Sequence, residues 1–291
     1  MATINGTSGN ESLIGTAAND SFYPGNGNDT IDGGGGTDTV VLSGPRANCS
    51  ISQTFTGYLV TDTVGGTGIK TVSNISSLQF SDTIANLTVA ADAKTISPTQ
   101  LTSLTELYIA YFNRVPDASG LDYWIKALVG GQTLAQIGSS FYEAAISPAY
   151  APLTGYSPTM TNADFVRIIY ANVLGRTATN LPPPQVDVDY WAGNLSSGLA
   201  TRASLISTML TAAHEYSGNA TWGWVANLLD NKVTVGTYHA VTAGIDYLTP
   251  TTAYSTCVDI AAAVTQTDTT AAIHLIGLSA QMDFQSPPMP G

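Results

Sequence analysis

Four carboxylates fall nine residues apart near the start of the chain: Glu11, Asp20, Asp29 and Asp38. The apolar residues Leu13, Phe22, Ile31 and Val40 keep the same step two places later. Glycines crowd the positions before each acid, most fully in GNGNDTIDG from Gly25 and GGGGTDTVV from Gly33. So short a period confines the segment to stacked coils, because one unit cannot bury its apolar face without neighbours. Each unit then supplies a short strand, one inward side chain and a tight turn. A glycine-rich polar linker would not hold an acidic and an apolar series in phase through four units.

The turns explain the glycines. Gly25, Gly27, Gly34 and Gly36 allow positive φ values and let backbone carbonyls converge. Two units complete one coil, so loops on one side recur at every second unit. Asp20 then stacks with Asp38, and Glu11 with Asp29. Stacked carboxylates repel one another unless a cation lies between them, and carboxylate with carbonyl oxygens is the hard ligand set that calcium prefers. The candidate metal ligands are Asp20, Asp29 and Asp38, joined by Glu11, by Asn19, Asn28 and Asp32 as helpers, and by the four turn glycines. One or two well-formed sites are expected, because the first two units are degenerate, with Glu11 in place of Asp and Thr16 and Ala18 in place of Gly.

These units resemble the RTX nonapeptide repeats, GGxGxDxUx, of secreted bacterial proteins. The resemblance implies a short parallel β-roll, calcium as cofactor, and one-step type I export without a cleaved signal. It also implies a roll held open by repelling carboxylates in calcium-poor cytosol and folded by calcium outside. From Thr39 to Leu87 the pattern turns to alternating strands, as in the β cap that commonly follows such rolls. The cap contains GGTGIKTV, with Lys70 where the acid should stand. An ammonium cannot ligate calcium. Lys70 therefore either replaces the metal as an internal cation or points to solvent, and the loop is expected to be empty of metal.

Beyond the connector TVAADAKTISPTQ, the apolar period becomes helical from Leu101, with a start at Ser97-Pro98. The region is internally duplicated: Tyr108, Phe112 and Arg114 recur as Tyr170, Leu174 and Arg176, and Asp122-Tyr123-Trp124 as Asp189-Tyr190-Trp191. An insertion containing Pro182, Pro183 and Pro184 separates the two series. The pattern of Arg-x-Pro-Asp, Gly-Leu, Tyr-Trp and a helix ending in Gly resembles a helical domain of unknown function in bacterial surface and S-layer-associated proteins, itself similar to phycobilisome linker modules. Asn113 departs from it at the Gly position, and the second unit loses the Pro-Asp. The expected architecture is thus multidomain, α and β: a β-roll with β cap over residues 1–90, a linker over 91–100, and an all-α assembly domain over 101–291. Two further short helices are expected over 257–264 and 270–278, and QSPPMPG as a loose tail.

Only 9 Lys and Arg face 21 Asp and Glu, with no basic stripe, which argues against nucleic acid and anionic membrane as partners. No apolar run approaches the roughly 20 residues that span a bilayer, so membrane insertion is not expected. The N-terminus lacks the basic and apolar parts of a secretory signal. Cys49 and Cys257 read as buried thiols rather than a disulfide. None of the three histidines has metal-ligand spacing, and no nucleophile motif occurs. Arg114 and Asp117 read as an ion pair and helix cap, and the Tyr and Trp residues as core. The expected function is non-enzymatic: a secreted, calcium-dependent structural protein that assembles with itself at the bacterial surface as an S-layer or filament subunit. The alternative is a glycan-binding adhesin using Trp222 or Trp224, with surface polysaccharide as partner.

Overall fold

The computed structural model describes residues 1–277. The nonapeptides form the strands β1 (Thr3–Asn5), β2 (Ser12–Ile14), β3 (Ser21–Tyr23), β4 (Asp29–Asp32) and β5 (Thr39–Val41). Successive strands go to opposite sheets, and each pairs in parallel with the strand two units on: Ile4 faces Phe22, Phe22 faces Val40, and Leu13 faces Ile31. The apolar series points between the sheets, where Phe22, Ile31 and Val40 are wholly buried.

The cap continues both sheets with β6 (Cys49–Gln53), β7 (Tyr58–Asp62), β8 (Ile69–Ser73), β9 (Ser77–Gln79) and β10 (Thr83–Asn86). One sheet runs β2-β4-β8-β7-β6; the other runs β1-β3-β5-β9-β10 and ends on a strand from the far half of the chain, β11 (Ile245–Tyr247). The join from β4 to β8 is parallel and sets Asp29 opposite Lys70, so the GGTGIK loop becomes the next coil of the stack.

The helices are α1 (Val89–Asp92), α2 (Pro98–Phe112), α3 (Ala118–Val129), α4 (Leu134–Ala145), α5 (Ala151–Thr154), α6 (Asn162–Leu174), α7 (Gln185–Ser196), α8 (Arg202–His214), α9 (Gly223–Thr237), α10 (Pro250–Ala262) and α11 (Thr270–Ile276). The start at Ser97-Pro98 is a capping box, with Ser97 and Gln100 satisfying each other's backbone N–H groups. Asn113 ends α2 in the left-handed region at φ 51°, the conformation that asparagine tolerates best after glycine, and Gly175 does the same for α6. The duplicated series fall on α2-α3-α4 and α6-α7-α8 in the same order, with Thr133 and Thr201 capping the third helix of each unit.

Several expectations need correction. The connector is helical, and its Val89 and Ala93 belong to the helical core. The motif Asp122-Tyr123-Trp124, expected to open its helix, lies one turn inside α3, which begins at Ala118 on its cap Asp117. GIDYL is not helical: the helical half lends β11 to the sheet, where it pairs antiparallel with β10. The helix containing Cys257 begins earlier, at Pro250. Leu278 and QSPPMPG lie outside the described residues. Cys49 and Cys257 are separate buried thiols.

Candidate metal centre

Each of the three aspartates that centre the repeat is buried, with Glu11 half-buried beside them. The expected pairs form. Asp38 Oδ1 accepts the Asp20 N–H at 2.7 Å, and Asp29 Oδ1 accepts the Glu11 N–H at 2.9 Å. One carboxylate oxygen per aspartate thus ties one coil to the next, and the fate of the other oxygen differs at each position.

Asp20 is satisfied by protein. Its Oδ1 accepts from Ala2, its Oδ2 accepts from the Thr16 N–H and hydroxyl at 2.7 and 2.8 Å, and these bonds hold its carboxyl below the usual range. Thr7 makes the same two bonds to Glu11. The degenerate units thus replace a glycine by a threonine that occupies the acid's oxygen.

At Asp29 the second oxygen faces Lys70 Nζ at 2.9 Å, and the same ammonium donates to the carbonyls of Gly27 at 2.6 Å and Thr67 at 2.8 Å. Lys70 is 2% exposed, so it does not point to solvent. A cation held by one carboxylate and two turn carbonyls from adjacent coils is the arrangement expected of a metal, with an ammonium in its place. Of the two readings of Lys70, the internal cation is the correct one.

Asp38 has no such partner: its Oδ2 is buried without a hydrogen bond. Burial pushes this carboxyl up, and the charges of Asp20 and Asp32 push it further. An orphaned buried carboxylate oxygen asks for a cation, and Lys70 shows on the opposite side how these loops hold one. The residues therefore fit calcium. Asp38, with carbonyls of the loop from Gly33 to Thr37, would hold it, whereas Asp20 and Glu11 are already engaged by threonines and Asp29 by Lys70. Calcium supplies positive charge between the coils. The protein's part is to keep the oxygens aligned.

The turn glycines make that alignment attainable. Gly25, Gly27, Gly34 and Gly36 all have φ between 75° and 103°. A Cβ on Gly27 would stand 2.0 Å from the Gly9 carbonyl oxygen, and one on Gly68 would stand 2.2 Å from that of Gly27. The coils thus stack backbone on backbone. Asn19 and Asn28 are not free to help: their amide oxygens accept from Thr37 and Ile69 in the next coil, each at 2.9 Å. Asp32 is likewise engaged, by Asn74 and Gly34. All three brace the stack. Among the described residues no three His, Cys, Asp or Glu side chains come together, so any ligand set here draws on backbone oxygens.

In the helical half, Arg114 Nη1 lies 2.7 Å from Asp117 Oδ2, while Asp117 Oδ1 accepts from Gly120 as the cap of α3. The pair locks a turn, as expected. Phe141 sits among Tyr108, Phe112 and Trp124 as core, while Tyr123, Tyr190 and Trp222 are exposed. Among the described residues no helix is long and apolar enough to cross a membrane.

Comparison with known families agrees with this geometry. Residues 5–40 match the model of the RTX calcium-binding nonapeptide repeat in four copies. Residues 153–218, which contain the second helical unit, match DUF4214, a domain of unknown function. No curated protein matches the chain. The chain carries an RTX calcium-binding repeat whose cofactor is calcium, followed by a helical region that includes a DUF4214 domain.

Proposed function

We propose that the protein is an extracellular structural subunit that assembles with itself on a bacterial surface once calcium has closed the roll. The observation that carries this reading is the edge strand β6, whose outer side pairs with no strand among the described residues and which runs into the exposed Phe55. Such an edge is a template for another chain. Calcium binding by the repeat supports an extracellular, type I-exported protein, since calcium that binds only the folded state stabilises it more as its concentration rises. The ion pair at Arg114 and the buried His239, bonded to the Pro116 carbonyl and to Tyr247, are structural, which supports a non-enzymatic role.

Negative-stain microscopy of the purified chain tests the proposal. Ordered polymers should form with calcium and disappear with a chelator. Monodisperse monomers at high calcium would sink it, and saturable binding of a surface polysaccharide by such monomers would favour the adhesin reading instead.

A further inference from the structure

The two helical units form corresponding cavities, and the second is about four times the volume of the first. In the first, Tyr108, Phe112, Arg114, Trp124, Phe141 and Ala144 surround about 150 Å³. Their counterparts Tyr170, Leu174, Arg176, Trp191, Met209 and Ala212 line about 590 Å³. Two aromatic rings are gone. Phe141, whose ring centre lies 5.0 Å from that of Tyr108 and 5.1 Å from that of Trp124, has become Met209, and Phe112 has become Leu174. The insertion before α7 adds Pro184 and Val186 as further wall. Tyr216 and Trp222, both more than 40% exposed, mark where the cavity meets solvent.

A charge is gone as well. Arg114 is paired with the helix cap Asp117, but the cap of α7 is Pro184, and among the described residues no carboxylate pairs with Arg176. The guanidinium is nevertheless fixed: it donates to the carbonyls of Leu181 and Pro182 at 2.9 and 3.3 Å and lies 6.0 Å from the Trp224 ring centre.

We infer that this cavity binds a small aromatic carboxylate, its flat apolar body replacing the two lost rings and its anionic group replacing the carboxylate that Asp117 supplies in the first unit. The volume and lining are those of a small-molecule site: mostly apolar, with few polar groups to orient the ligand. A sugar fits poorly, because Ile169, Val173, Leu210 and Val225 would leave its hydroxyls unpaired. Asp187 also lines the cavity, which limits the ligand to a single anionic group at the Arg176 end.

The test is calorimetric titration of the calcium-loaded full chain with 2-naphthoate. Saturable binding near one equivalent is expected, with 2-naphthylmethylammonium at least about tenfold weaker. Refilling the cavity with Leu174→Phe and Met209→Phe should abolish binding. Arg176→Gln should weaken naphthoate about tenfold and leave the neutral 2-naphthol unchanged. Should the refilled variant not fold, the Arg176→Gln arm decides alone. No saturable naphthoate binding, equal binding of the ammonium probe, or undiminished binding in a folded refilled variant overturns the inference.

Discussion

Lys70 shows what one side chain can do in a stacked coil. Its ammonium lies between Gly27, Thr67 and Asp29, so this rung closes without calcium. Lys70→Met should cost about 3 kcal/mol in chemical denaturation, because it leaves a buried carboxylate oxygen unpaired. Lys70→Asp should make the same rung calcium-dependent, with stability lost in chelator and restored by the metal. Asp38 is the opposite case. Burial raises its carboxyl above the ordinary value, so in calcium-free protein it favours the fold at low pH and loses that contribution as pH rises through its folded-state value. Calcium-free Asp38→Asn should therefore gain on the native chain between about pH 4 and pH 7, the carboxylate range and beyond. With calcium the order should reverse. Denaturation of both proteins at the two pH values, with and without the metal, checks this.

The elements are held by caps and by a few buried pairs. Asp117 caps α3 and neutralises Arg114, so Asp117→Ala should cost about 3 kcal/mol in thermal unfolding, cap and pair together. His214, near the end of α8, bonds Glu106 of α2 and lies 3.2 Å from Asp230 of α9, and its pKa is raised chiefly by the bond to Glu106. Its contribution is full below the ordinary histidine range and fades as pH rises through the raised value. The melting-temperature gap between the native chain and His214→Gln should thus be wider at about pH 6 than at about pH 8. Strand β11 had no readable signal in the sequence: three residues, Ile245-Asp246-Tyr247, inside a run of helical periodicity. Their fate is set by pairing with β10 and by Asp246 accepting from Ser119 at 2.7 Å, contacts between residues far apart in the chain.

At the scale of the molecule, the roll was legible because a nine-residue period fixes both pairing and facing: Phe22, Ile31 and Val40 could point nowhere else. The acids were legible as a set but not in their division of labour. That the second oxygen is satisfied by Thr16 at Asp20, by Lys70 at Asp29, and by no protein group at Asp38 follows from how loops stack, which spacing alone does not give. The substitution of Lys70 for an acid was visible, and only the parallel register of β4 with β8 shows that it lands on Asp29. The larger second cavity was hidden for a similar reason, since Phe141 and Met209 become equivalent only once α4 and α8 are counted from their caps Thr133 and Thr201. Together these features describe a calcium-binding roll with one rung closed by an ammonium.

Hydrogen exchange with calcium and with a chelator measures that division directly. Amides of residues 5–40 should gain strong protection on adding calcium, while those of β8 around Lys70 should stay protected in both conditions. Equal protection of residues 5–40 with and without the metal, or loss of β8 together with the repeat, would contradict the account.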